Sequence, residues 1–367
     1  MFSTVLLIAF AVIVAVNCVF YIIFSKFSFS QPFSPARKNS IPISLIVCSK
    51  NESENLKKHI PLWLKQNYPN FEIILVNDAS RDDTLDVIES FSEIDPRIKI
   101  VNVVNNEAFW ANKKYALTLG IKKAKNNHLL FTDADCKPNS DQWIQEMADQ
   151  FSEKKSLILG YGAYQKQSSF LNKIIRFETC ITAIQYFSYA KIGIPYMGVG
   201  RNLGYTSSLF YENNGFMSHM YIRSGDDDLF VNEVATKENT ALCFSAESFT
   251  ESIPKNSWKG FWNQKKRHIT TAKHYKTSHK LLLGLHYAAN ILFWIGVLTC
   301  FFFIRWEWLA GLIAFRICMQ YLSLTKGIKK LGETGLLALI PLLEVFLISF
   351  QLSIFISNIF SKPKHWK

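Results

Sequence analysis

Cysteine is sparse and scattered. Seven residues in 367 (Cys18, Cys48, Cys136, Cys180, Cys243, Cys300 and Cys318) include no C-x-x-C pair. That spacing argues against a disulfide framework or a zinc site and for reduced thiols in a cytosol-facing domain. Two phosphate-cradling patterns are missing as well. No G-x-G-x-x-G follows the first strand-like run and no G-x-x-x-x-G-K-[ST] occurs, so a dinucleotide oxidoreductase and a P-loop phosphotransferase both lose ground. Internal repeats, low-complexity tracts and nucleic-acid-binding motifs are also lacking. Acidic residues are outnumbered, 29 Asp and Glu against 41 Lys and Arg, giving a net charge of +12. Basic runs such as Lys265-Lys266-Arg267 border apolar segments, so anionic lipid headgroups and a phosphate-bearing substrate explain this charge better than nucleic acid does.

Charge is wholly absent from Met1 to Phe24. At about 1.5 Å per residue this stretch is long enough to cross a bilayer core. Without a basic leader or small-residue cleavage site it reads as an anchor over residues 1–24, not a cleaved signal. Lys26, Arg37 and Lys38 follow, which sets its C-terminal side in the cytoplasm. Residues 25–40 read as a linker. The other end, residues 281–360, is again apolar and reads as about three spans, Leu281–Ile304, Leu309–Leu324 and Gly335–Ile359. Trp306-Glu307-Trp308 is expected to form an interfacial turn and Lys326-Gly327-Ile328-Lys329-Lys330 a cytoplasmic basic loop. Arg316 and Glu344 fall inside these spans, where charge is expensive; they pair with each other or line a polar conduit. The chain thus reads as an integral protein of the inner or plasma membrane with a cytoplasmic catalytic domain.

Between the apolar ends, over residues 41–275, strand-like and helical runs alternate. Ile41–Cys48, Phe71–Val76, Ile98–Val104 and His128–Thr132 are buried-strand runs; Ser53–Leu64, Leu85–Phe91 and Asn112–Ala124 have helical periodicity. This order predicts an α/β domain with a mostly parallel sheet, whose ligands bind beyond the carboxyl ends of the strands. Ser49–Glu52, Asn77–Ser80 and Asp133–Asp135 all fall at those ends. Asp133 and Asp135 flank a turn, and two hard oxygen ligands there suit a divalent cation that also takes phosphate oxygens. Capping of the next helix is the plainer alternative. Further on, Gly198–Gly204 is a glycine-bracketed loop carrying Arg201 and Asn202, either a sugar contact or a structural turn. Phe170–Ile192 is amphipathic and aromatic-rich, as expected of a segment on the membrane surface.

The runs Ile46–Glu52, Val76–Thr84 and Asp133-Ala134-Asp135 resemble the nucleotide-sugar half of family 2 glycosyltransferases, inverting enzymes with a GT-A fold. Gly225-Asp226-Asp227-Asp228-Leu229 is similar to the acidic motif that holds the family's general base. Gln264-Lys265-Lys266-Arg267-His268 resembles the Q-x-x-R-W signature of the membrane-embedded branch, which includes poly-N-acetylglucosamine, cellulose and hyaluronan synthases. The resemblance implies a donor site of Ser49, Asn51, Glu52, Asp78, Lys113 (or its neighbour Lys114) and Asp133. It implies Mg2+ or Mn2+ on Asp135 with Asp133, and Asp226 or Asp227 as base, with Asp226 favoured by counting back from Leu229. Arg201, Asn202, Gln264, Arg267 and His268 would serve acceptor and diphosphate. The implied activity is hexosyl or N-acetylhexosaminyl transfer from a nucleotide-sugar, a UDP-sugar first, to a glycan or lipid acceptor, alone or with a partner subunit of a polysaccharide machine. Alternatives are a single-transfer glycolipid synthase and a non-catalytic nucleotide-sugar-binding scaffold. Four departures stand out: Asn77, Ala79 and Lys50 replace commoner residues, and His268 replaces the motif tryptophan.

Overall fold

The computed structural model describes residues 1–35, 38–104, 113–222 and 224–360. Arg37 and Asn112, both used in the sequence reading, lie outside them. In chain order the first half runs α1 (Phe2–Ser28), β1 (Ile43–Ser49), α2 (Ser53–Leu64), β2 (Phe71–Asp78), α3 (Thr84–Ile94), β3 (Ile98–Val103), α4 (Lys113–Lys123), β4 (His128–Asp133), β5 (Cys136–Pro138), α5 (Trp143–Ala148), β6 (Leu157–Leu159) and β7 (Gly162–Tyr164). There follow α6 (Phe170–Lys191), β8 (Leu203–Thr206), α7 (Ser207–Glu212), α8 (Asp228–Val234), β9 (Thr240–Leu242), β10 (Thr250–Ser252), α9 (Trp258–Ala272), α10 (Thr277–Phe303), α11 (Trp306–Lys330) and α12 (Ile340–Phe360). They divide into a sheet unit, residues 31–166 with 193–254, and a helical unit of residues 1–30, 167–192 and 255–367.

In the sheet unit the order is β3-β2-β1-β4-β8-β6-β9. The first four strands are parallel; β8 runs antiparallel to both β4 and β6. All eight residues of β2 are buried, as expected of a strand covered on both faces, where no polar alternation can survive. Even Glu72 is accommodated there: its carboxylate accepts from Ser44 Oγ and the Lys125 amide, each at 2.7 Å. The strand ends are level, with Ser49 beside Asn77 and Cys48 beside Asp133, so three polar termini share one edge. Helix α4 lies unusually close to this sheet. A Cβ on Gly120 would come within 2.9 Å of Val76 Cγ2 and 3.0 Å of Ile46 Cγ2, so glycine lets α4 hold its first turn over the strand ends. The segments β5, β10 and β7 form a second, three-stranded sheet.

Among the described residues the helical unit has four helices long and apolar enough to cross a membrane: Phe2–Ser28, Thr277–Phe303, Trp306–Lys330 and Thr334–Phe360. Several sequence expectations are corrected here. The N-terminal helix continues four residues into the expected linker, to Ser28. The expected interfacial turn opens α11, and the expected basic loop is that helix's last turns. Lysine is a good helix former, favourable at the negative end of the macrodipole, and the chain breaks only at Gly332, whose φ is +77°. Segments 167–192 and 255–275, read from sequence as parts of the soluble domain, cluster with the apolar helices. Helix α6 packs on the C-terminal end of α1. Phe187 is buried and stacked on Phe27 at 4.9 Å, and Tyr189 is buried beside Phe24 at 6.1 Å.

Arg316 and Glu344 pair directly, at 2.6 and 2.9 Å. Arg316 also reaches Asn17 and Asn290, while Glu344 accepts from Gln320 and Tyr21. Of the two readings left open, mutual pairing is what the structure shows.

Candidate active site

The site forms where β1, β2 and β4 end. The polar residues there fall into two groups, those engaged in holding the edge and those presented by it. Ser49 belongs to the first group: it is 1% exposed and its Oγ donates to the Val76 carbonyl at 2.9 Å, which corrects its assignment as a donor contact. Asn51 and Glu52 build the turn into α2. Asn51 has φ +57°, its Oδ1 accepts from the Arg81 amide and its own amide donates to Ser80 Oγ. Glu52 donates its amide to Thr84 Oγ1 and accepts from Asn55. Asn202 is corrected too: fully buried, it donates to the Tyr161 and Ser248 carbonyls and accepts from Trp143 Nε1. It braces the loop from within and leaves nothing for a sugar.

The second group is Asp78, Lys113, Asp133, Asp135, Arg201 and Asp226. Lys50, which sequence reasoning noted only as a departure, joins them, its Nζ 3.5 Å from Asp78. Lys113, on the first turn of α4, joins two motifs far apart in sequence: its Nζ lies 2.7 Å from Asp133 and 2.9 Å from Asp226. Burial would discharge this ammonium, but Asp133 and Asp226 outweigh that and hold its pKa well above the ordinary lysine value. Its neighbour Lys114 points away. Fully buried, it donates to His219 Nδ1, the His219 carbonyl and the Ile222 carbonyl at 2.7, 2.7 and 3.0 Å, pinning the chain that leads to Asp226. Burial lowers its pKa to about 8.

The two aspartates of the base motif separate by what they touch. Asp227 caps α8 by accepting from the Asp228 amide, and accepts from the Gly200 amide at 2.7 Å. Both its oxygens thus hold backbone, tying the 198–204 loop to α8. Burial, with Asp226 and Asp228 beside it, pushes its pKa up to about 7. Burial would raise Asp226 likewise, but Lys113 prevails and keeps it ionised, below the usual aspartate value. Around these groups lies a crevice of about 10 Å³, lined also by Phe131, Leu203 and Tyr205. It has room for about one water, so a donor has to lie across the open edge.

Asp133, Asp135 and Cys136 can bring one ligand atom each within 4.8 Å of one another. Burial, then Asp135, pushes the Cys136 thiol far above its ordinary pKa, so the usable donors are carboxylate oxygens. Such a set suits a hard divalent cation that completes its shell with water and phosphate oxygens. Arg201 stands close enough to feel both carboxylates. Its guanidinium is fixed by the Ala163 carbonyl and Ser252 Oγ, each at 3.1 Å, and lies 4.1 Å over the Tyr164 ring. These supports come from the second sheet, far off in sequence, and no local signal announces them.

Gln264, Arg267 and His268 lie on α9, in the helical unit. The lysines between them have structural partners: Lys265 pairs with Glu178 of α6 at 2.5 Å and Lys266 donates to Ser357 of α12 at 3.1 Å.

Ala79 takes φ +49°, a left-handed conformation next to Asp78. A Cβ there costs roughly 1–2 kcal/mol, of which glycine's greater unfolded-state freedom would return part. Ala79→Gly is therefore expected to stabilise the protein by up to about 1 kcal/mol, read as a higher thermal midpoint of the full-length chain. An unchanged or lower midpoint would mean the turn is unstrained.

Comparison with known proteins agrees with this geometry. Over 146 residues, 39% of this chain and 41% of the relative, the sequence is 32% identical to an uncharacterized glycosyltransferase of Haemophilus influenzae. It is 31% identical over 137 residues, 37% of this chain and 32% of the relative, to a poly-beta-1,6-N-acetyl-D-glucosamine synthase of Staphylococcus epidermidis. The chain thus spans well under half the length of these two relatives. Among solved structures it resembles the mannosyltransferase PcManGT from Pyrobaculum calidifontis in complex with GDP-Man and Mn2+, with a TM-score of 0.63 and 14% identity over 97% of this chain and 99% of that one. Residues 44–206, a stretch that contains the level strand ends and their paired aspartates, match the model of glycosyl transferase family 2, and the fold is of the GT-A type.

Proposed function

We propose that this chain is a membrane-anchored, inverting glycosyltransferase. It would move a hexose or N-acetylhexosamine from a nucleotide diphosphate, a UDP-sugar first, to a glycan or lipid acceptor on the cytoplasmic side. The observation that carries the reading is Lys113, whose ammonium joins the first aspartate of the D-x-D turn to the aspartate motif some ninety residues on. That closeness suits a site that works on a diphosphate and on an acceptor hydroxyl together.

In this reading Asp78 accepts hydrogen bonds from the nucleobase, and Asp133 and Asp135 hold Mg2+ or Mn2+. That cation, when bound, neutralises charge growing on the departing diphosphate. Lys113 and the braced Arg201 supply fixed positive charge to the same oxygens, at no reorganisation cost. Asp226 takes the acceptor hydroxyl's proton as the oxygen attacks the anomeric carbon from the face opposite the diphosphate. One base and one displacement give inversion. Gln264, Arg267 and His268 serve the acceptor side.

The test is turnover by the full-length protein in membranes with UDP-hexoses, UDP-N-acetylhexosamines and GDP-mannose, the last included because of the donor named for the PcManGT structure. One donor is expected to release nucleotide diphosphate when Mg2+ or Mn2+ is supplied. Chelation with EDTA, or Asp135→Ala, is expected to lower the rate by about 10²-fold or more, a loss of roughly 3 kcal/mol of transition-state stabilisation. Full activity in EDTA would reject the metal assignment. Failure of every nucleotide-sugar to bind the folded protein would reject the transferase.

A further inference from the structure

Helices α1, α10 and α11 form a bundle with its charge at one end. Their directions follow from their contacts. Phe2 meets Phe303, Phe10 meets Phe293 and Phe24 meets His286, with ring centres 5.5, 5.6 and 5.1 Å apart, so α10 runs antiparallel to α1. Lys330, closing α11, donates to the carbonyls of Phe27, Ser28 and Ser30, so α1 and α11 end together. The end of α1, the start of α10 and the end of α11 therefore make one rim.

That rim exposes Lys26, Lys280, Lys326 and Lys329. Its carboxylates are turned inward: Glu333 is 2% exposed and paired with Arg176, and Glu178 is occupied by Lys265. The opposite end is balanced, with Arg305 and Glu307 paired at 3.1 Å. Apolar surface begins within about a turn of each lysine cluster. Ile22, Leu281, Leu285 and Leu322 are 52%, 69%, 55% and 62% exposed, and Ile22 and Leu322 each stand four residues before a rim lysine, on the same helix face. A ring of ammonium groups above a band of bare aliphatic side chains matches, layer for layer, phosphate above acyl chain.

We propose that this rim is a binding surface for anionic phospholipids, holding headgroup phosphates on the lysines while the acyl chains cover Ile22, Leu285 and Leu322. The proposal rests on the membrane reading above but not on the transferase reading. Free phosphate lacks the acyl half of the match, so the commitment is to lipid.

The test uses full-length protein in nanodiscs of phosphatidylcholine with a minor fraction of phosphatidylglycerol. Energy transfer from the protein's tryptophans to acyl-labelled phosphatidylglycerol or phosphatidylcholine reports which lipid occupies the boundary. A preference for phosphatidylglycerol of about threefold or more is expected, weakening in about 0.5 M KCl as screening shortens the reach of the lysines. The variant carrying Lys26→Gln, Lys280→Gln, Lys326→Gln and Lys329→Gln is expected to show no preference, and Arg305→Gln at the other end to retain it. Equal occupancy in the parent protein, or a preference surviving in the four-site variant, would overturn the proposal. So would its loss to about 10 mM inorganic phosphate, which would indicate a free-anion site. Nucleotide-sugar turnover in the same discs reads the catalytic proposal separately, since a lipid preference can hold where turnover fails.

Discussion

Asp226→Asn is expected to lower kcat by about 10²–10⁴-fold, the usual contribution of a positioned base, while donor affinity changes little. The substitution keeps shape and removes only the ability to accept a proton. Asp227→Asn is expected to act differently. Asp227 holds the Gly200 amide and caps α8, so losing part of that grip should reduce stability and activity together, without the clean separation of kcat from binding. The pH dependence gives a second discriminator. A base works deprotonated, so the rate rises with pH through the pKa of the group that serves. Lys113 outweighs burial and holds Asp226 below the ordinary aspartate value, so its acid limb lies to the acid side of that value and the rate is insensitive to this group at neutrality. Asp227 lies near 7. An acid limb near 7 that vanishes in Asp227→Asn, with Asp226→Asn still active, would transfer the role of base to Asp227.

Much of this site is legible in the sequence because a parallel sheet writes itself plainly. The buried runs ending in Ser49, Asp78 and Asp133 each show where a strand stops, and the topology of such sheets brings their ends together. Which polar residue at a strand end faces a ligand and which faces the protein is not written there. Ser49 and Asn202 carry the right chemistry, yet both turn inward, to Val76 in one case and to Tyr161, Ser248 and Trp143 in the other. Only the packing decides that. The same limit applied to Lys113 and Lys114. Adjacent on one helix, they had equal standing in sequence, but helical rotation sends one to the carboxylates and the other into the core. Segments 167–192 and 255–275 were misplaced for a related reason: amphipathic pattern reveals an apolar face but not the surface that covers it. The Lys326–Lys330 run shows that charge density is a poor sign of a loop, since lysines at a helix C-terminus favour the helix.

Arg316→Met is expected to destabilise the helical unit by about 3–5 kcal/mol, the usual cost of leaving a buried charge without its partner. Arg316 is fully buried, and it is the centre of a network drawn from four helices: Asn17 of α1, Asn290 of α10 and Glu344 of α12 all reach it from its place on α11. Its guanidinium also lies 4.4 Å from the centre of the Phe293 ring. In the membrane setting proposed above water cannot replace these bonds, so the penalty falls on Glu344, Asn17 and Asn290 at once. The double variant Arg316→Met with Glu344→Leu is expected to be less destabilised than Arg316→Met alone, because it removes the orphaned carboxylate and leaves only neutral groups unmatched. Thermal melting of the purified protein in detergent, followed by tryptophan fluorescence, reads the double variant beside Arg316→Met and Glu344→Leu alone. If the single variant melts with the parent, the pair is a passenger. If the double variant is as damaged as the two single losses added, Arg316 and Glu344 act independently, and the bundle is held by its apolar contacts, such as Phe10 on Phe293, with no contribution from its central ion pair.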